Sequence, residues 1–470
     1  MLSTGERGRI LLLVFVVSLP FITVSQTTPF IKGADVSFVN QVEAGGGAFF
    51  VNGVRTDLFD LLAGNGLNFI RLRLWHTPLN GANTLSETIG LAQRARDAGL
   101  GILLDIHYSD SWADPGQQTK PAAWSTLSFA QLKDSVYWYT RDVVTAMRSA
   151  NVLPEIVQIG NEIICGMLWD DGRVCGTFDT SRQWGQLGEL ADMGVQAVRD
   201  AADGEPVKVM IHIDTGGNNE GSRWFLDNFM YAGPDFDIIG LSFYPWWHGT
   251  MNDLSSNLDD LARVYKQEII LVESAYPWTL DWFDNTHNIV GLESQLHEGY
   301  PATVDGQRSF LTDVMAIVGA APNGKGTGFF YWAPEWISAP SYGSAWENLT
   351  LFDFQGELLS SIGAFDSTAV SVPQEPSPRP FRLDQNFPNP FNPATTIRFT
   401  LERSAPVLIE VFDQLGQRTA VLVDQYLEAG PHAVTWDATE KEGGPVSAGV
   451  YFYRLASAGK SAHGKMILLE

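Results

Sequence analysis

From Ile31 to about Trp332 the chain alternates short apolar runs with longer amphipathic stretches. The apolar runs are Lys32–Ser37, Asn68–Leu74, Gly101–His107, Glu155–Gly160, Val207–Ile213, Asp237–Phe243, Glu268–Ser274 and Gly326–Trp332. Their length and apolar continuity predict buried strands. Between them Leu85–Ala98, Phe129–Ala150, Arg182–Ala202, Leu254–Lys266 and Gln307–Val318 carry apolar residues at helical spacing. Apolar strands joined by crossover helices predict a parallel sheet, and eight repeats predict an α/β fold closed into a (β/α)8 TIM barrel. A doubly wound open sheet is the competing topology, but no Gly-rich phosphate loop follows the first strand.

The pattern changes near Ser367. Residues 371–380, Ser-Val-Pro-Gln-Glu-Pro-Ser-Pro-Arg-Pro, form a connector expected to be extended. Beyond it, Thr396–Leu401, Pro406–Asp413, His432–Trp436 and Gly449–Leu455 alternate polar and apolar residues, which predicts a small all-β, immunoglobulin-like sandwich. At the other end Arg7 and Arg9 precede the apolar stretch Ile10–Val24, with small residues before Gln26. That is the pattern of an export signal. The expected organisation is a signal peptide over 1–25, a barrel over 28–366, a linker over 367–380 and a sandwich over 381–470.

Composition narrows the chemistry. Hydrophobic residues make up 45% of the chain, enough for a packed core. The net charge of −24 repels phosphate backbones, so no nucleic-acid partner is expected. Fifteen Trp and 27 Phe supply flat faces that pack against sugar rings, although most of the Phe are expected in the core. The two cysteines, Cys165 and Cys175, are expected to form a disulfide after export. They are too few for a metal cluster, and the chain is expected to act as a monomer.

The candidate chemistry collects at the strand ends. Glu162, preceded by Asn161, follows the fourth run, and Glu273 closes the seventh. Two carboxyl groups at the C-terminal mouth of a barrel are what glycoside hydrolysis needs, one protonated to serve the leaving oxygen and one ionised. Strand alternation puts Arg71, Arg73 and Trp75 on one face of the second strand, and Asp105 and His107 on one face of the third. His212, Asp214, Tyr244 and Trp332 also fall at the mouth. Either Arg71 or Arg73 would favour an ionised Glu273, Tyr244 would hold it in place, and Asn161 would meet a sugar hydroxyl.

Several segments carry a resemblance: Lys32-Gly-Ala-Asp-Val-Ser37, Phe69-Ile-Arg-Leu-Arg-Leu-Trp75, Leu104-Asp-Ile-His-Tyr-Ser-Asp-Ser-Trp-Ala-Asp-Pro115, Gln158-Ile-Gly-Asn-Glu162, Ser242-Phe-Tyr-Pro-Trp-Trp247 and Glu273-Ser-Ala-Tyr-Pro-Trp-Thr279. Over residues 28–366 the chain resembles glycoside hydrolase family 53, the endo-β-1,4-galactanases. The resemblance implies a retaining enzyme with Glu162 as acid/base and Glu273 as nucleophile, acting on the β-1,4-galactan or arabinogalactan side chains of pectin. It implies substrate contacts from Asp35, Arg71, Arg73, Trp75, Asp105, His107, Asn161, His212, Tyr244 and Trp332, with Trp332 stacking under the sugar at the cleavage point. No cofactor is required. Some relatives hold a structural calcium in the loop after the seventh strand, here Asp281–Asn288. Trp282 and Phe283 interrupt its donors, so a solvated loop is the preferred reading. Residues 386–393, Asn-Phe-Pro-Asn-Pro-Phe-Asn-Pro, with Gly449-Val-Tyr-Phe-Tyr-Arg-Leu455, resemble the sorting domains of type IX secretion. They imply delivery to the cell surface or medium by a Gram-negative bacterium's export machinery. The competing functions are an endo-glycanase acting on mannan, xylan or a β-glucan, and a non-catalytic glycan-binding protein.

Overall fold

The computed structural model describes residues 29–366 and, with short breaks, 381–469. The expected signal peptide and linker lie outside the described residues. Eight parallel strands close into a barrel: β1 (Ile31–Asp35), β2 (Phe69–Leu74), β3 (Gly101–Ile106), β4 (Ile156–Ile159), β5 (Lys208–Ile213), β6 (Ile238–Ser242), β7 (Glu268–Ser274) and β8 (Gly326–Trp332). Each pairs with its neighbours in sequence, and β8 closes on β1 with Asp35 beside Trp332. Each expected strand is present, six of them trimmed by a residue or two at an end.

The outer ring contains the expected helices as Leu85–Asp97, Phe129–Ser149, Ser181–Ala202, Met251–Val264 and Val304–Gly319. Ser128 and Gln131 close the start of the second with reciprocal hydrogen bonds. Two further crossover helices, Leu58–Gly64 and Asn219–Ala232, escaped the sequence pattern. The first has too few turns to show a period. It forms because Asp57 caps it and Leu58, Phe59, Leu61 and Leu62 are buried. The second begins with a glycine-containing turn, Asn218 accepting from the Gly221 amide.

Inside the barrel the side chains change character from base to mouth. Leu103, Ile156, Met210, Ile238, Ile270, Val272 and Phe330 fill the base as an apolar layer. The Phe330 ring lies over Gly33, where any Cβ would meet it at 2.2 Å. One step further along the strands, Arg71, Asp105, Gln158 and His212 form a buried polar layer. This order seals the barrel below and leaves its chemistry at the C-terminal end.

The C-terminal domain is a two-sheet sandwich. One sheet has β9 (Phe381–Leu383), β10 (Thr395–Leu401) and β13 (Gly430–Trp436). The other has β11 (Ala405–Phe412), β12 (Arg418–Leu427), β14 (Gly449–Ser457) and β15 (Lys460–Leu468). Sequence alternation located β10, β11, β13 and β14 but missed β9, β12 and β15. In β12 only Ala420 is buried, and register shifts against β11 interrupt the pairing, so no clean alternation exists to be read. Trp436 and Phe391 are buried in the core between the sheets, so this Trp offers no face to a sugar.

Candidate active site

Two departures from regular backbone aim the carboxylates. Period 2 turns Ile270 and Val272 inward and would turn Glu273 away. The register between β6 and β7 skips a residue, pairing Leu241 with Leu271 but Ser242 with Glu273. This bulge swings Glu273 into the mouth. At the end of β4, Glu162 adopts a left-handed conformation (φ 46°, ψ 52°), which a side chain rarely takes up without tertiary support. Both glutamates line a cavity of about 530 Å³ at the mouth.

Arg71 organises the floor of this cavity. Its Nη1 donates to Asp35 Oδ2 at 2.9 Å and to Glu273 Oε1 at 2.7 Å. Its Nη2 donates to Asp105 Oδ2 at 2.9 Å and to Asn161 Oδ1 at 2.8 Å. Asn161 also donates to the Ala113 carbonyl, which leaves one amide N–H for the cavity. The Tyr244 hydroxyl donates to Glu273 Oε2 at 3.1 Å. Arg71 alone makes ion pairs with three buried carboxylates, and even with Arg73 the cavity is lined by more carboxyl groups than cations.

That excess decides where a proton resides. Burial, together with the Glu273 and Asp214 carboxylates, pushes Glu162 well above the ordinary carboxyl range. Burial pushes Glu273 up as well, to about 7, against the pull of Arg71. Glu273 has the Arg71 ion pair and the Tyr244 hydroxyl, whereas Glu162 meets no cation among the described residues. The shared proton belongs on Glu162 and the charge on Glu273.

A hydrogen-bond relay follows that proton. Ser242 Oγ lies 2.6 Å from Glu162 Oε1 and 2.9 Å from His212 Nε2. His212 Nδ1 lies 3.0 Å from Asn161 Oδ1 and 3.2 Å from Gln158 Nε2. A hydroxyl has one hydrogen to give. When Glu162 is ionised, Ser242 donates to it and accepts from His212 Nε2–H. When Glu162 is protonated, it donates to Ser242, which donates to Nε2, and Nδ1–H turns to Asn161. Both arrangements use a neutral imidazole, and burial plus the nearby Arg71 holds His212 well below its ordinary range. The same causes, burial first, lower His107, whose Nε2 pairs with Asp105 at 2.9 Å while Nδ1 accepts from the Ala113 amide.

Asp35, Arg71, Arg73, Asp105, His107, Asn161, Tyr244 and Trp332 line the cavity as expected residues of the mouth, and Asp214 joins them. Two expectations need correction. Trp75 and His212 stand behind the lining, Trp75 against Trp112 and His212 in the relay. Arg73 also differs from Arg71. Its guanidinium lies over the rings of Phe38, Trp75 and Trp112, and its three nitrogens are enclosed without a hydrogen-bond partner. It therefore packs the aromatic wall, and Arg71 alone pairs with Glu273. Sequence reasoning missed Ser242 and Gln158; both lie on inward positions of strands already recognised, which was the available signal.

Aromatic rings form the walls. Trp332 contacts Trp112 on one side and Trp346 on the other, and Trp247 stands 58% exposed at the rim. Trp124 packs in the core against His76 and Tyr139, and Lys120 is paired with Asp171 at 2.6 Å. Cys165 and Cys175 form the expected disulfide, tying the loop behind Glu162. Asp284 and Glu347 both reach the Ser338 hydroxyl, their other contacts are backbone amides or Asn288, and no group of three or more His, Cys, Asp or Glu converges among the described residues.

A parallel barrel with two differently held glutamates at its mouth defines a glycoside hydrolase. The model of glycosyl hydrolase family 53 matches residues 31–365, and the chain belongs to that family. It is 48% identical over 342 residues to an uncharacterised protein of Niallia circulans, covering 71% of this chain and 93% of that one. It is 35% identical to the arabinogalactan endo-β-1,4-galactanase of Thermothelomyces thermophilus, covering 71% of this chain and 98% of the other. The solved family 53 catalytic domain of Ignisphaera aggregans superposes with a TM-score of 0.68 at 38% identity, covering 73% of this chain and 97% of that domain.

Proposed function

We propose that this protein is an exported endo-β-1,4-galactanase that cleaves internal β-1,4-galactosidic bonds of galactan or arabinogalactan with retention. The asymmetric environment of the two glutamates carries the reading. Glu273, held ionised by Arg71, attacks the anomeric carbon while Glu162 gives its proton to the departing oxygen. The C–O bond to the leaving chain breaks as the galactosyl–Glu273 ester forms. Glu162, now ionised and held by Ser242, takes a proton from water, and that water displaces Glu273. The Ser242 hydroxyl turns to donate to Glu162 once the carboxyl is ionised, so the carboxyl keeps a hydrogen-bond partner in both states.

Named galactanases among the relatives support galactan over mannan, xylan or β-glucan. The test is digestion of linear β-1,4-galactan with the first product followed by proton NMR. A β-anomer released first fits retention; an α-anomer, or products only from the other polymers, refutes the proposal. Glu273→Ala should abolish turnover while oligosaccharide binding stays measurable, which separates an enzyme from a binder. Glu162→Ala should keep activity on activated aryl galactosides, because a good leaving group needs no acid.

The sandwich domain is proposed as an export signal for the type IX machinery, supported by its Asn386–Pro393 and Gly449–Leu455 motifs. In a Gram-negative host with that route, deleting 381–470 should retain the enzyme inside the cell. Undiminished release would refute the assignment.

A further inference from the structure

We infer that Gln118, on the loop after β3, is a positioning residue that holds the Asn161–Glu162 turn and so sets where the acid/base carboxyl stands. The part Glu162 plays rests on the galactanase reading above. Gln118 is 2% exposed and stands behind the cavity lining, so it acts through the backbone of Glu162 and not on a sugar.

A buried side-chain amide needs a partner for each of its hydrogens. Gln118 Nε2 donates to the Asn161 carbonyl at 2.8 Å and to the Asp114 carbonyl at 3.1 Å, with the Glu162 carbonyl 3.5 Å away. The Asn161 carbonyl belongs to the peptide unit that precedes the Glu162 Cα, so holding it restrains rotation about that residue's N–Cα bond. That rotation is the strained one. Glu162 has φ 46° and ψ 52°, and a residue with a Cβ stays in this region only where its surroundings over-determine it.

Gln118 can hold the turn because it is itself held. Its own carbonyl accepts from the Trp169 amide at 2.8 Å, and Thr119 bridges to Trp169 alongside. Trp169 Nε1 in turn donates to the Cys165 carbonyl at 2.9 Å, within the disulfide-tied loop. On the near side, Asp114 and Gln117 exchange backbone hydrogen bonds. A second tie runs in the opposite sense, from Asn161 Nδ2 to the Ala113 carbonyl at 2.9 Å. The loop that carries Trp112 of the aromatic wall is thus stitched to the acid/base turn at two points. Ser242 fixes the carboxyl end of the Glu162 side chain, and Gln118 fixes its backbone end. A general acid must lie within hydrogen-bond reach of the oxygen it serves, so both ends matter.

The test uses the full chain and two substrates. Gln118→Met keeps most of the side chain's bulk and removes both donors. Its kcat on linear galactan should fall about tenfold with KM retained. The first step on an activated aryl galactoside, which needs no acid, should keep its rate. A merely structural loss would lower both substrates together. Gln118→Glu has the same shape and sets an oxygen against the Asn161 carbonyl. It should lose at least as much on galactan while sparing the aryl substrate, and it decides the matter should the Met variant not fold. Unchanged kcat on galactan, equal losses on the two substrates, or a rise in KM alone would each overturn the assignment. If the unaltered enzyme cuts another β-glycan instead, the substrate reading fails. That polymer and its matching aryl glycoside still decide the role of Gln118.

Discussion

Arg71 Nη1 lies 2.7 Å from Glu273 Oε1, and the same nitrogen lies 2.9 Å from Asp35 Oδ2. The guanidinium is completely enclosed, and three carboxylates surround it. Replacing it with Met leaves Asp35, Asp105 and Glu273 buried without their ion-pair partner, which should cost about 3–5 kcal/mol of stability. Arg71 favours the ionised form of Glu273, so its loss raises the Glu273 pKa. In Arg71→Met, kcat/KM on galactan should fall about 10²–10³-fold, and the acid limb of the pH profile should move to higher pH. Denaturant melts and pH–rate profiles check both effects; an unmoved acid limb would dissociate Arg71 from Glu273.

Ser242 is the side-chain partner of Glu162, and its hydroxyl favours the ionised carboxyl. Ser242→Ala removes that support, so the Glu162 pKa rises and the alkaline limb of kcat/KM moves to higher pH. Turnover of galactan should drop by roughly tenfold through misplacement of the acid, while an aryl galactoside with a good leaving group reacts at nearly the original rate in its first step. Nitrogen-15 NMR of His212 supplies an independent readout. In the unaltered protein its tautomer should change as Glu162 titrates, and in Ser242→Ala it should not.

Asp214 works in the opposite direction. It lines the cavity, one of its oxygens is buried without a hydrogen-bond partner, and burial pushes its own pKa up to about 6. Above that pH its charge helps keep the proton on Glu162. Asp214→Asn removes the charge, so Glu162 ionises more readily and the alkaline limb should move to lower pH. Measured beside Ser242→Ala, the two variants should displace the same limb in opposite senses.

The Cys165–Cys175 bridge closes a short loop directly behind the strained Glu162. A loop of this length is worth roughly 2–3 kcal/mol through the entropy of the unfolded chain. Cys165→Ser/Cys175→Ser should therefore lower the melting temperature. Because the loop backs the acid/base, kcat should fall more than KM changes, and reducing agent should have the same effect on the unaltered protein.

The sequence alone determined the barrel and the two glutamates. Each barrel strand is a continuous apolar run because both of its faces are buried, and that pattern survives in one dimension. Glu162 and Glu273 were visible because a carboxylate ending such a run has only the polar mouth to occupy. Short or irregular elements, Leu58–Gly64 and β12 among them, were invisible because their stability comes from neighbours rather than from a repeat of their own. The tertiary structure decided the chemistry around the glutamates. Arg71 and Arg73 sit on the same face of β2, yet strand stagger brings only Arg71 to Glu273 and leaves Arg73 under three aromatic rings. Glu273 itself faces the cavity only through the bulge between β6 and β7, which the strand period forbids. Ser242 lies on an inward position of β6 by plain alternation, but only the closure of the barrel brings it to Glu162 from another strand. Such relationships depend on how strands are displaced against one another, a quantity that no single strand encodes.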